Sequence, residues 1–317
     1  MDVRARSLDA ARRIRPFVRR TPLEPSPWLT DGGGAVSLKL ENTQRTGSFK
    51  LRGALAKLTS LPEPELARGV VAASTGNHGM AVALGARELG THAVVFAPES
   101  AVRSKLATIE AFGAEIRLAG SDCIEAERAA REHAASSATT YVSPYNDTEV
   151  VAGQGTIALE LEEDVPDLDA VIVAVGGGGL VSGIGGVLAS SQRDVEIVAA
   201  SPRNSCVLRD SLEAGRVLDL PSDPTLSDAT AGGLEEDSVT FELAGRVIDR
   251  FVVVDEDEIA DSLRGVIENH HTLVEGAAGV AVAAYRRERE SYAGRNVAIV
   301  LCGANIATET LAAILTR

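Results

Sequence analysis

The chain is 317 residues long, enough for two domains or one large α/β unit whose core needs no disulfide or metal staple. With 45% hydrophobic, 24% charged and only 3% aromatic residues, it is a globular composition whose core must be built from Ala, Val, Leu and Ile. A net charge of −14 argues against nucleic acid and against an anionic membrane surface as partners.

The first residues, MDVRARSLDAARRIRPFVRR, are charged along their length and lack the apolar segment of a signal peptide, so a cytoplasmic protein is expected. Lys39, Lys50, Lys57 and Lys105 are the only lysines, which shortens the list of candidate amine nucleophiles. Lys50 closes the segment Thr46-Gly47-Ser48-Phe49-Lys50. Gly69–Ser74 reads as a strand, followed by the turn Ser74-Thr75-Gly76-Asn77-His78-Gly79 and a helix. Ala93–Ala97 and Glu115–Leu118 read as further strands, each followed by a helical stretch. Ala170–Val175 leads through four glycines into another helix, and Glu196–Ala200 follows as a strand. The glycines of this stretch suit a strand–loop–helix better than a membrane span. Asp255–Glu258 (DEDE) reads as an acidic helix start, and no metal site is expected there because His270 and His271 lack a ligand spacing. Asn296–Leu301 is a last strand before a final helix. The β-turn-α units fall into two series, roughly 69–146 and 170–317, which predicts two α/β domains with parallel sheets and a cleft between them. Cys123, Cys206 and Cys302 are odd in number and widely spaced, so reduced thiols are expected rather than a disulfide framework.

Three segments carry chemistry. Gly176-Gly177-Gly178-Gly179-Leu180 stands between a strand and a helix, where the backbone can approach a ligand and helix-start N–H groups can hold a phosphate. The turn Ser74–Gly79 offers hydroxyls, an amide and helix-start N–H groups to a carboxylate. Its plainer reading is an N-cap by Ser74 or Thr75 with His78 facing solvent. Lys50, directly after Phe49, could be a covalent amine beneath a planar ring. Together the three point to pyridoxal phosphate, which needs a Schiff-base lysine, a phosphate cradle and a grip on the amino-acid carboxylate. A dinucleotide reading competes, because Gly177-x-Gly179-x-x-Ser182 nearly matches a Rossmann fingerprint. The acidic residue that would bind the ribose is missing, since EIVAA runs into Ser201 and Arg203; this disfavours NAD and leaves NADP open.

The segments RRTPL (Arg19–Leu23), KLENTQRTGSFKLRGA (Lys39–Ala54), STGNHG (Ser74–Gly79), AGQGTIALEL (Ala152–Leu161), GGGGLVSG (Gly176–Gly183), VEGAAGVA (Val274–Ala281) and LCGANI (Leu301–Ile306) occur in one order along the chain. In this the chain resembles the threonine/serine dehydratase and serine racemase group of fold-type-II pyridoxal-phosphate enzymes, whose fold is that of the tryptophan synthase β chain. STGNHG with AGQGTIALEL is similar to the branch that includes hydroxyectoine-utilisation dehydratases. The resemblance implies two open parallel-sheet domains with helices on both faces. Residues 61–146 would form a small domain inserted into a larger, cofactor-binding one made of 1–60 and 147–317. It implies Lys50 as the cofactor-bearing base, Phe49 against the ring, Gly176, Gly177, Gly178, Gly179 and Leu180 on the phosphate, and Asn77 on the ring hydroxyl. Cys302 would face the ring nitrogen, with Glu275 near the cavity. Ser74, Thr75, Asn77 and His78 would bind the substrate carboxylate. Thr75 stands where racemases of the group carry a Ser as second acid/base. Ser201 and Val207 stand where the group's cation ligands are expected, so no metal is anticipated. No appended regulatory domain is expected, and a homodimer is. The implied reaction is β-elimination from a hydroxyamino acid such as L-threonine or L-serine, giving a 2-oxo acid and ammonia. The alternatives are a dehydratase for 3-hydroxyaspartate or a hydroxyectoine-derived substrate, and a serine racemase.

Overall fold

The computed structural model describes residues 1–30, 33–191 and 193–316, apart from the side chains at 104 and 105. In chain order the strands are β1 (Leu23–Pro25), β2 (Ala35–Lys39), β3 (Val70–Ala73), β4 (Ala93–Ala97), β5 (Glu115–Leu118), β6 (Thr140–Tyr141), β7 (Ala170–Ala174), β8 (Glu196–Pro202), β9 (Arg250–Val254) and β10 (Asn296–Val300). They form a six-stranded sheet in the order β1-β2-β10-β7-β8-β9 and a four-stranded sheet in the order β5-β4-β3-β6. Neighbouring strands pair in parallel except β1 with β2. Strands β4 and β7 are buried at every position, as a parallel sheet covered on both faces requires. Helix Gly276–Arg287 packs on β7 to β10, and helix Gly179–Leu188 packs on β7 and β8.

Where the sequence expects strands, the structure has them, to within two residues at each end. Four strands escape that reading. β1 and β6 are three and two residues long, too short for a periodic signal, and Pro25 in β1 is tolerated because β1 is an edge strand. β2 (AVSLK) is interrupted by Ser37 and Lys39, whereas β9 (RFVVV) is apolar at four of its five positions and simply falls outside the β-turn-α units read from the sequence. The six-stranded sheet therefore reaches back to residue 23, well before the second predicted series begins.

Asp255–Glu258 starts a helix as expected. Asp255 caps Glu256–His270, and Glu258 returns a bond to the Asp255 N–H, closing a capping box. No helix among the described residues is long and apolar enough to cross a membrane.

Candidate active site

Lys50 is the first residue of helix Lys50–Ser60. The segment before it runs antiparallel to the residues after β10: Ser48 bridges Gly303, the Phe49 N–H donates to Cys302 O at 3.1 Å, and the Ala304 N–H donates to Gly47 O at 2.8 Å. This pairing brings Cys302 close to Lys50. The Lys50 Nζ donates to Pro144 O at 2.9 Å and lies 5.2 Å from the centre of the Phe49 ring. Removal from water pushes its pKa down to about 8, against the opposing pull of the Glu275 carboxylate. The other described lysines are committed elsewhere: Lys39 is buried against Glu160 and Lys57 pairs with Asp147, while the Lys105 side chain lies outside the described residues.

Beside Pro144, the Tyr145 ring lies against the glycine loop. A Cβ at Gly177 would stand 2.5 Å from that ring, and one at Gly176 would stand 2.6 Å from Thr230 O. Gly178 has φ +82° and occupies the N-cap of helix Gly179–Leu188. The Thr240 hydroxyl donates to Gly177 O at 2.6 Å, holding the loop from behind. The first helical bond is closed by the Ser182 N–H onto Gly178 O, so the N–H groups before it are left to an anion.

The turn Ser74–Gly79 opens helix Asn77–Glu88 in the four-stranded unit, with Gly76 at the N-cap and no side-chain cap. Ser74 Oγ accepts the Gly76 N–H at 3.1 Å, and Thr75 is half-buried next to it. The N-cap reading of Ser74 or Thr75 is thus overturned: the turn bends on itself and leaves the first-turn N–H groups open. Nor does His78 face solvent. Its imidazole is buried, and Nε2–H donates to Val142 O at 2.7 Å. Burial, helped by the Lys50 charge, holds its pKa down near 3, so it is neutral. Any contact of His78 with a substrate would fall to its backbone N–H.

Asn77 joins this turn to the six-stranded unit. Its Nδ2 donates to both carboxylate oxygens of Glu275, at 2.9 and 3.0 Å. Glu275 is buried at the head of helix Gly276–Arg287, and burial raises its pKa to about 7. Burial also pushes the Cys302 thiol well above its usual range, so it is neutral. The structure therefore gathers Phe49, Lys50, Asn77, Glu275 and Cys302, with the connector 142–145 linking Lys50 and His78 to the glycine loop. Sequence reasoning passed over that connector and Asn305, whose amide touches Asn77 and Thr46. The sequence signal available was LCGANI, where only the cysteine drew notice.

The arrangement fits pyridoxal phosphate. A Cβ-free cradle at a helix start suits the phosphate, a desolvated amine suits the aldehyde, and the buried hydroxyls of Thr46 and Ser48 have no partner within the protein. Among the described residues no cluster of His, Cys, Asp and Glu could hold a metal ion.

Residues 14–303 match the family described as pyridoxal-phosphate dependent enzyme, and the chain belongs to that family. It is 41% identical over 299 residues to an L-threonine ammonia-lyase of Thermotoga maritima, covering 94% of this chain and 74% of that protein. The structure of maize serine racemase superposes with a TM-score of 0.91 at 29% identity, covering 99% of this chain and 96% of that one. The processed form of threonine deaminase isoform 2 from Solanum lycopersicum gives a TM-score of 0.93 at 29% identity, covering 99% and 87%.

Proposed function

We propose that this chain is a pyridoxal-phosphate-dependent ammonia-lyase that eliminates water from a hydroxyamino acid of the threonine/serine type; the released enamine takes water back as its imine hydrolyses, giving a 2-oxo acid and ammonia. The observation that carries the reading is the Lys50 amine, desolvated to a pKa of about 8 and held by the connector that also walls the glycine loop. The ammonia-lyase and threonine deaminase relatives support the substrate class.

In this reading the phosphate rests on the backbone of Gly176 to Leu180, Phe49 packs on the ring, and Asn77 donates to the ring hydroxyl. The cofactor supplies an electron sink that acidifies the substrate's Cα–H. Lys50 Nζ then takes the Cα proton, a role suited to an amine whose pKa of about 8 leaves far more free base near neutral pH than a surface lysine has. Ser74, Thr75, Asn77 and His78 line the start of a helix whose free N–H groups bind the substrate carboxylate. Cys302, a neutral thiol at the ring nitrogen, gives up no proton there. Racemisation would need a second acid/base opposite Lys50, and Thr75 offers only an unactivated hydroxyl.

The same reading makes residues 61–146 a domain inserted between 1–60 and 147–317, supported by the separate sheet of β3 to β6. It makes the protein a cytoplasmic homodimer, to be tested by light scattering and fractionation. The test of the function is chemical. Borohydride reduction of the holoprotein followed by peptide mass analysis is expected to place the cofactor on Lys50, and L-threonine or L-serine is expected to yield ammonia. An unmodified position 50 would overturn the assignment.

A further inference from the structure

Asn305 follows β10 and sits where three segments meet. Its Nδ2 donates one hydrogen to Thr46 O at 2.9 Å and the other to Asn77 Oδ1 at 2.6 Å. Its backbone N–H donates to Glu275 Oε2 at 3.1 Å. The room for this amide is made by Gly47, which has φ +72° and whose Cβ, if present, would lie 2.9 Å from Asn305 Oδ1.

The chemistry of these partners fixes a direction. A main-chain carbonyl only accepts, so Thr46 O requires the nitrogen of Asn305 to face it. That nitrogen also faces Asn77, which must answer with its oxygen. Asn77 is then left with its NH₂ pointing into the site, where Glu275 accepts it. If Asn305 could not donate, Asn77 would keep only its bonds to Glu275 to hold its NH₂ towards the site.

We propose that Asn305 is a positioning residue that locks the Asn77 carboxamide in its donor orientation, so that Asn77 offers N–H rather than C=O to the cofactor. The relay Thr46–Asn305–Asn77 also fastens the helix Asn77–Glu88 of the four-stranded unit to the lysine segment. The inference rests on the function proposed above, in which Asn77 donates to the ring hydroxyl.

The test is a double-mutant cycle on cofactor affinity. Asn305→Asp keeps the shape but replaces the donor with an acceptor; Asn305→Ala is the companion variant, free of the added charge beside Glu275. Apoprotein of the wild type, of each variant, of Asn77→Ala and of the double variants is titrated with pyridoxal phosphate and followed by the absorbance of the bound cofactor. Apoprotein melting is recorded alongside. In the wild-type background each Asn305 variant is expected to weaken binding about tenfold or more, the loss of one charge-assisted hydrogen bond, and to shift the pH midpoint of the visible band. In the Asn77→Ala background the same change is expected to alter affinity less than about twofold, because Asn305 acts through Asn77. Equal losses in both backgrounds, or lowered melting with affinity and band midpoint unchanged, would overturn the proposal. A wild-type protein that binds no pyridoxal phosphate would instead overturn the proposed function itself.

Discussion

At the scale of single residues, the site depends on two groups whose charge burial has altered. Lys50 is a weaker base than a surface lysine, and Cys302 is a weaker acid than a surface thiol. Lys50→Ala removes both the covalent anchor and the base. A general base alone is worth about 10²–10⁴ in rate, so turnover is expected to fall by more than that while the protein melts normally. Steady-state ammonia release and a thermal scan check this together. Cys302→Asp tests the other group. A carboxylate at the ring nitrogen would hold a proton there and deepen the electron sink, which favours slow side reactions over prompt loss of the β-hydroxyl. The ratio of transamination product to 2-oxo acid is expected to rise. An unchanged ratio would mean that Cys302 is only a packed thiol, which is common for buried cysteine.

At the scale of elements, the helix that presents Lys50 is anchored two residues later by Arg52. This guanidinium is 1% exposed, pairs with Glu41 at 2.8 Å and with Glu160 at 2.7 Å, and Glu160 is shared with buried Lys39. Arg52→Met leaves Glu41 buried without its cation, and breaking such a pair costs about 3–5 kcal/mol. Urea unfolding of the apoprotein is expected to register that loss; a change under about 1 kcal/mol would mean the cluster relaxes by admitting water. The glycine loop is constrained differently. Gly177→Ala drives a methyl into the Tyr145 ring, and overpacking of that kind costs about 1–3 kcal/mol, here with weakened cofactor binding as the loop shifts. The glycine loop and Lys50 were legible in the sequence because each lies within a few consecutive residues beside a regular element. Arg52, Glu41 and Asn305 were not. Asn305 meets Asn77 across 228 positions and Arg52 meets Glu160 across 108, and no local period encodes such pairs. His78 illustrates the converse, since its motif was visible but the direction of its ring depends on Val142, 64 residues away.

At the scale of the whole molecule, two buried titrating groups oppose each other in how stability depends on pH. His78, on the four-stranded unit, has its pKa lowered from 6.5 to about 3 by burial first and the Lys50 charge second, while its bond to Val142 O opposes the shift. Between those values the unfolded chain binds a proton that the folded chain refuses, so His78 makes stability rise with pH from about 3 to 6.5. Glu275, on the six-stranded unit, has its pKa raised from 4.5 to about 7 by burial first, with Asp228 adding to the rise and Asn77, the Asn305 N–H and Lys50 opposing it. There the folded chain keeps a proton that the unfolded chain releases, so Glu275 makes stability fall as pH rises from 4.5 to about 7. In the shared window the two slopes, each at most about 1.4 kcal/mol per pH unit, largely cancel. Single substitutions separate them. The apoprotein stability of the wild type minus that of His78→Gln, which keeps a donor for Val142 O, is expected to climb from about pH 3 to 6.5 and to be level above. The same difference for Glu275→Gln is expected to decline from pH 4.5 to about 7 and then level off. Taking differences removes the many surface carboxylates common to both proteins. A His78 difference that stays level below pH 6.5 would show that the imidazole is free to take up its proton in the folded state.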